Sequence, residues 1–152
     1  MALPRGNTGW RNDRMFQRPA SHSTRPLRLV VETDDPSLAI SDFACFRDAG
    51  FDVAVCRGPD ADVTCPAASG GRCDLVDDAD VVLNAMRDPD DQCIVVAAIR
   101  EADPTVPIVA IAPHRPGERV PDDCIILGST VSINGQVDAL RRAAVAPRPT
   151  PR

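Results

Sequence analysis

Lysine and tyrosine are both missing from this 152-residue sequence, and all 17 of its basic residues are arginines. Without lysine there is no phosphate-binding Walker-A lysine and no Schiff-base nucleophile, and without tyrosine there is no phenolic acid or base. Aromatic residues make up only 3% of the chain. A core must therefore be built from Val, Ile, Leu and Ala, and the 43% hydrophobic content is enough to build one. No apolar run approaches the roughly 20 residues of a membrane-spanning helix, and the amino terminus shows no apolar signal-peptide segment. The expectation is a cytoplasmic protein without membrane contact. The net charge of -5 weighs against a general nucleic-acid surface. Glycine is missing where a dinucleotide fold needs it. The first βα turn reads Glu32-Thr33-Asp34-Asp35-Pro36, and its carboxylates would repel a pyrophosphate.

What is present fits one domain. Residues 1–26 carry five arginines against the single acid Asp13, and Pro4, Gly6, Gly9, Pro19 and Pro26 punctuate them. No helical or strand period survives there, so this is a disordered basic arm. It is either a solvated tail or a docking segment for an acidic partner or nucleic acid, with Trp10 and Phe16 as anchors. Residues 27–145 form an α/β domain, and 146–152 form a disordered Pro/Arg tail.

Within the domain, apolar runs alternate with amphipathic segments. Leu27 to Glu32 is the first strand. A helix follows, from Leu38-Ala39-Ile40 through Phe43, Phe46 and Ala49; Ser37 can cap it, with Pro36 either just ahead of it or at its start, and Gly50 closes it. Phe51 to Cys56 is the second strand. Asp60 to Asp74 is a loop where a second helix would stand, with a short helix possible inside it or around Leu75 to Ala79. Ala79 to Ala85 is the central strand, ending at Asn84 before the turn Arg87-Asp88-Pro89-Asp90. The next helix presents Ile94, Val95, Ala98 and Ile99 as its apolar side. Val106 to Ala112 and Cys124 to Leu127 are the last two strands, and Ser132 opens a final helix with Val137, Leu140 and Ala144 inward. Strands alternating with helices imply a five-stranded parallel, doubly wound sheet with right-handed crossovers. Ligands bind such sheets at the carboxyl ends of the strands.

Six cysteines stand at 45, 56, 65, 73, 93 and 124. Cys45, Cys93 and Cys124 fall in regular elements and read as core filler. Cys56 ends the second strand, and Cys65 and Cys73 lie in the loop leaving it. These three are free thiols, or a disulfide (Cys65–Cys73 or Cys56–Cys65), or a zinc site completed by Asp60, Asp62 or Asp74. Their spacing is not that of a CxxC pair. His22 lies in the arm. His114 follows the fourth strand and reads as a solvated loop residue or, alternatively, a base or ligand.

The chain resembles the receiver domain of bacterial response regulators, over roughly Leu27 to Val145. The resemblance rests on element order: an apolar strand ending in Glu32, Asp34 and Asp35, a central strand ending at Asn84 before Pro89, and the Pro107 to Ala112 strand. It implies a flavodoxin-like sheet of order 2-1-3-4-5. It also implies a pocket in which acids after strand one hold Mg²⁺, an aspartate after strand three accepts phosphate, a hydroxyl residue ends strand four and a lysine ends strand five. Here Asn84 or Ala85 stands at the acceptor position, Ala112 stands at the hydroxyl position, and no lysine exists. The resemblance thus implies a degenerate receiver whose pocket (Glu32, Asp34, Asp35, Asn84, Ala112) is vestigial. Such a module would serve regulation through a protein partner or homodimer, contacted by the last strand and helix, where receivers pair. A thiol-based redox or metal role for Cys56, Cys65 and Cys73 is the alternative.

Overall fold

A computed structural model of the protein describes residues 25–58, 65–112 and 117–148. The basic arm up to residue 24, with His22, Trp10 and Phe16, lies outside these residues, as do Asp60, Asp62 and His114.

The elements run β1 (Leu27–Glu32), α1 (Pro36–Asp48), β2 (Phe51–Cys56), α2 (Asp74–Asp77), β3 (Val81–Asn84), α3 (Pro89–Ala102), β4 (Ile108–Ile111), β5 (Ile125–Leu127) and α4 (Ile133–Val145). The five strands form one sheet of order β2-β1-β3-β4-β5, and every pairing is parallel. This is the expected doubly wound sheet.

Strand alternation divides the core into two layers, because successive side chains point to opposite faces. Leu29, Val31, Val81, Leu83 and Val109 pack with Phe46 of α1 and with Val137 and Leu140 of α4. Val30, Val82 and Ile108 pack with Val76 of α2 and with Val95, Val96 and Ile99 of α3. Each buried side chain of this kind contributes roughly 1.5–3 kcal/mol. The ring of Phe46 meets that of Phe51 edge-on at 6.5 Å, so two of the few aromatics anchor α1 to the start of β2. At the amino end of the sheet, the Asp80 carboxylate accepts from the Arg28 N–H at 2.8 Å and from Arg25 Nη2 at 2.9 Å. Arg148 Nη2, beyond α4, donates to the Ala79 carbonyl at 3.0 Å.

Several local expectations are corrected. Asp35, not Ser37, caps α1: its Oδ1 accepts from the Ser37 N–H at 2.8 Å and from Ser37 Oγ at 2.6 Å. Pro36 occupies the first helical position, where its missing N–H costs nothing, and this moves the cap one residue upstream of it. The α3 face is rotated from the expected one: Ile94 is 52% exposed and Val96 is buried. Cys45 is exposed rather than core, and Cys93 and Cys124 are half-buried. On α4, Ala143 is buried and Ala144 only partly so. The second helix is a single turn, and among the described residues no helix connects β4 to β5. The layer carrying α2 and α3 is therefore thinner than its counterpart.

Candidate functional site

Pairing register brings four residues into one row at the carboxyl ends of the strands. Cys56 pairs with Glu32, Glu32 with Asn84, and Asn84 with Ala110. Register partners in a parallel ladder share a face, so these side chains lie on the α2/α3 side. Three of the four, Glu32, Asn84 and Ala110, are buried, and Cys56 at the end of the row is half-buried. Glu32 is only 4% exposed, and its Oε2 has no hydrogen-bond partner among the described residues. Burial pushes its carboxyl up to about 8, since a charge in this setting is poorly solvated. Glu32 is therefore a neutral acid near pH 7.

Asn84 sits at the carboxyl end of β3, as expected, but it is fully buried and does not line an open rim. Its Nδ2 donates to the Gln92 carbonyl at 3.3 Å, and its Oδ1 accepts from the Met86 N–H at 3.2 Å. Gln92 answers from α3, with Nε2 donating to the Ile111 carbonyl at 2.9 Å and to the Asn84 carbonyl at 3.4 Å. Gln92 was not among the residues singled out from sequence. A polar residue on a helix gives no sign that its amide ties two strand ends together. The fixed start of α3 helps to position it: Asp88 Oδ1 caps the helix by accepting from Asp90 N–H at 2.8 Å and Asp91 N–H at 3.2 Å.

On the other face, Thr33, Asp42, Phe43, Leu83 and Ala85 border a cleft of about 10 Å³, room for about one water. The acidic turn stands beside it. Asp34 Oδ1 accepts from the Arg87 N–H at 3.1 Å and lies 3.5 Å from Arg87 Nε. Arg87 Nη1 lies 3.4 Å from Asp35 Oδ2. One arginine side chain thus ion-pairs with both exposed-side acids. Ala112, just past β4, is half-buried and offers only its backbone, whose N–H donates to the Leu127 carbonyl at 2.7 Å.

Cys56, Cys65 and Cys73 border a common open cavity of about 460 Å³, together with Val55, Arg57, Gly58, Pro66, Arg72, Asp74 and Leu75. All three are half-buried free thiols. Burial pushes the Cys56 thiol up, the Gly58 N–H on its sulfur (3.4 Å) partly offsets this, and Glu32, Cys65 and Cys73 add to the rise. Gly58 itself has φ +72°, and a Cβ there would lie 3.0 Å from Met86 Cε, so glycine is needed at this bend. Among the described residues, no group of three His, Cys, Asp or Glu is gathered closely enough to hold a metal ion. The zinc alternative for Cys56, Cys65 and Cys73 therefore finds no preformed ligand set there.

No protein-family model matches this sequence, and no curated protein matches it. Solved structures do match. A response-regulator receiver protein from Sinorhizobium medicae superposes over 82% of this chain and 98% of its own, with a TM-score of 0.57 and 24% identity. The fold is that of a receiver. The receiver domain of a sensor histidine kinase from Pseudomonas aeruginosa, which holds a magnesium ion in its active-site cleft, matches over 80% of this chain and 99% of its own. Its TM-score is 0.57 at 14% identity. A candidate pilus assembly-related protein from Burkholderia pseudomallei covers 81% of this chain and 94% of its own, with a TM-score of 0.55 at 18% identity. No helix among the described residues is long and apolar enough to cross a membrane.

Proposed function

We infer that this protein is a non-enzymatic regulatory module: a receiver fold that signals by docking to protein and not by accepting phosphate. The observation that carries this reading is the Arg87 side chain lying between Asp34 and Asp35, at 3.5 and 3.4 Å. A receiver pocket uses a divalent cation to neutralise its acids and the transferred phosphoryl group. Here a covalently attached cation already answers two of the acids, and the third, Glu32, is buried at 4% exposure on the opposite face of the sheet from the cleft. This donor set does not fit Mg²⁺. The acceptor position supports the same reading, since the Asn84 amide is committed to Gln92 and Met86. So does the absence of lysine.

Docking falls to the β5–α4 edge. β5 is an outer strand of three residues, and Ile125 and Ile126 are 48% and 40% exposed although they point to opposite faces. A strand edge with no neighbour among the described residues is a template for a partner. Arg119, Asp122 and Asp123, all exposed, precede it. Both charge signs on one edge suit self-pairing, so the occupant we assign is a second copy of this chain in a two-fold arrangement.

The test of phosphoryl chemistry is incubation with acetyl phosphate and Mg²⁺, followed by intact-mass measurement. The expected outcome is an unmodified chain. A stable, hydroxylamine-sensitive phosphoryl adduct on an aspartate would overturn the reading.

A further inference from the structure

We propose that Cys65 and Cys73 form a dithiol modification site, which a hydroperoxide converts to a disulfide within the folded protein. This goes beyond the docking function and does not depend on it.

The argument begins with the loop that stands in place of a full second helix. From Cys65 the chain folds back through a compact turn: the Ser69 N–H donates to the Cys65 carbonyl at 3.1 Å, Gly70 to Ala67 at 3.1 Å, and Gly71 to Pro66 at 2.8 Å. Gly70 supplies the left-handed residue, at φ +79°. A Cβ on Gly71 would lie 3.0 Å from the Pro66 carbonyl oxygen, so the two ends of the turn are pressed together. Cys65 opens this turn, and Cys73 follows it at the head of α2. Cys73 makes no side-chain capping bond. Both sulfur-bearing residues border the same open cavity, and both are partly reachable by solvent.

The third thiol on that cavity is held differently. Cys56 ends β2, receives the Gly58 N–H on its sulfur, and is the neighbour of buried Glu32 in the register. An apolar, acid-flanked sulfur is a poor thiolate. The reactive pair is therefore the two loop thiols. The chemistry balances as two steps. One thiolate attacks the peroxide, giving a sulfenic acid and releasing water or an alcohol. The second thiol then attacks that sulfur, forming the S–S bond and expelling water. Two thiol hydrogens are lost, and one hydroperoxide is reduced.

The sequence makes the test clean. Cleavage after arginine puts each cysteine in its own peptide, with Cys56 in 48–57, Cys65 in 58–72 and Cys73 in 73–87. The full chain is reduced, freed of reductant, exposed to hydrogen peroxide, alkylated, and digested without reductant. A parallel sample is oxidised in urea. The expected product from the folded chain is peptide 58–72 joined to 73–87, two hydrogens lighter than the pair and separated again by dithiothreitol. Cys65→Ser and Cys73→Ser each abolish it, and the urea sample gives mixed pairings. The proposal is overturned if Cys65 and Cys73 remain alkylatable after peroxide, or if the folded chain links Cys56 instead. It is equally overturned if folded and urea-treated samples give the same mixture.

Discussion

Asp34 Oδ1 receives both the backbone N–H and the side chain of Arg87, 53 residues further along the chain. This ties the acidic turn after β1 to the turn after β3.

Removing that arginine should restore some appetite for metal. Arg87→Ala is expected to show weak Mg²⁺ binding by titration calorimetry where the wild type shows none. If the variant also fails to bind, Arg87 is not standing in for a cation. The stability change should stay below about 1 kcal/mol in chemical denaturation, because Arg87 is 63% exposed and such pairs are screened by water.

Glu32 gives a pH signature. Its unfolded carboxyl ionises near 4.5 and its folded one near 8. Between those values the unfolded chain has released a proton that the folded chain retains, so folding stability falls as pH rises through the window and levels off above about 8. Glu32→Gln should remove this component, worth a few kcal/mol at most. Urea titrations should find the variant and wild type alike below pH 4.5, with the variant more stable at pH 8. Parallel pH profiles would refute the assignment.

Restoring an acid at the acceptor position should damage the protein. Asn84→Asp replaces an amide N–H facing the Gln92 carbonyl with an oxygen, in a fully buried place. The expected loss is about 1–3 kcal/mol at neutral pH. The loss should shrink in acid, where a protonated carboxyl can donate the same bond. Stability unchanged at neutral pH would mean that the Asn84–Gln92 latch carries no weight.

The outer strand predicts self-association. Sedimentation velocity of the full chain should show a concentration-dependent dimer, and Ile126→Glu should leave a folded monomer with an unchanged far-ultraviolet spectrum. A wild type that stays monomeric throughout would remove the second copy as the occupant of this edge.

Much of the architecture was readable from pattern alone. β1 and β2 fall where their apolar runs lie, because a strand in a covered parallel sheet needs little beyond apolar side chains and a turn at each end. The last helix was equally plain, since Ser132 caps it by accepting from the Gly135 N–H at 3.2 Å. Expectations slipped where a tertiary contact decides. Asn84 is correctly at the end of its strand, but its burial depends on Gln92, a partner on another element. Arg87 reads as a turn residue because its carboxylates are distant in sequence. Ile94 and Val96 exchanged roles because an Ile-Val-Val run is compatible with more than one helix rotation. That Cys56, Cys65 and Cys73 border one cavity follows from their order in the chain, since two lie in the loop leaving the strand that the first one ends.

The unequal clothing of the sheet has a consequence for how the molecule breathes. Among the described residues, one face is held by two helices of 13 residues each, the other by one long helix and a single turn. Segments with little packed cover open at lower free energy than the rest. Amide hydrogen exchange should therefore be fastest around α2, the side on which the three thiols sit, so an oxidant could reach them through a local opening while the remaining strands stay protected.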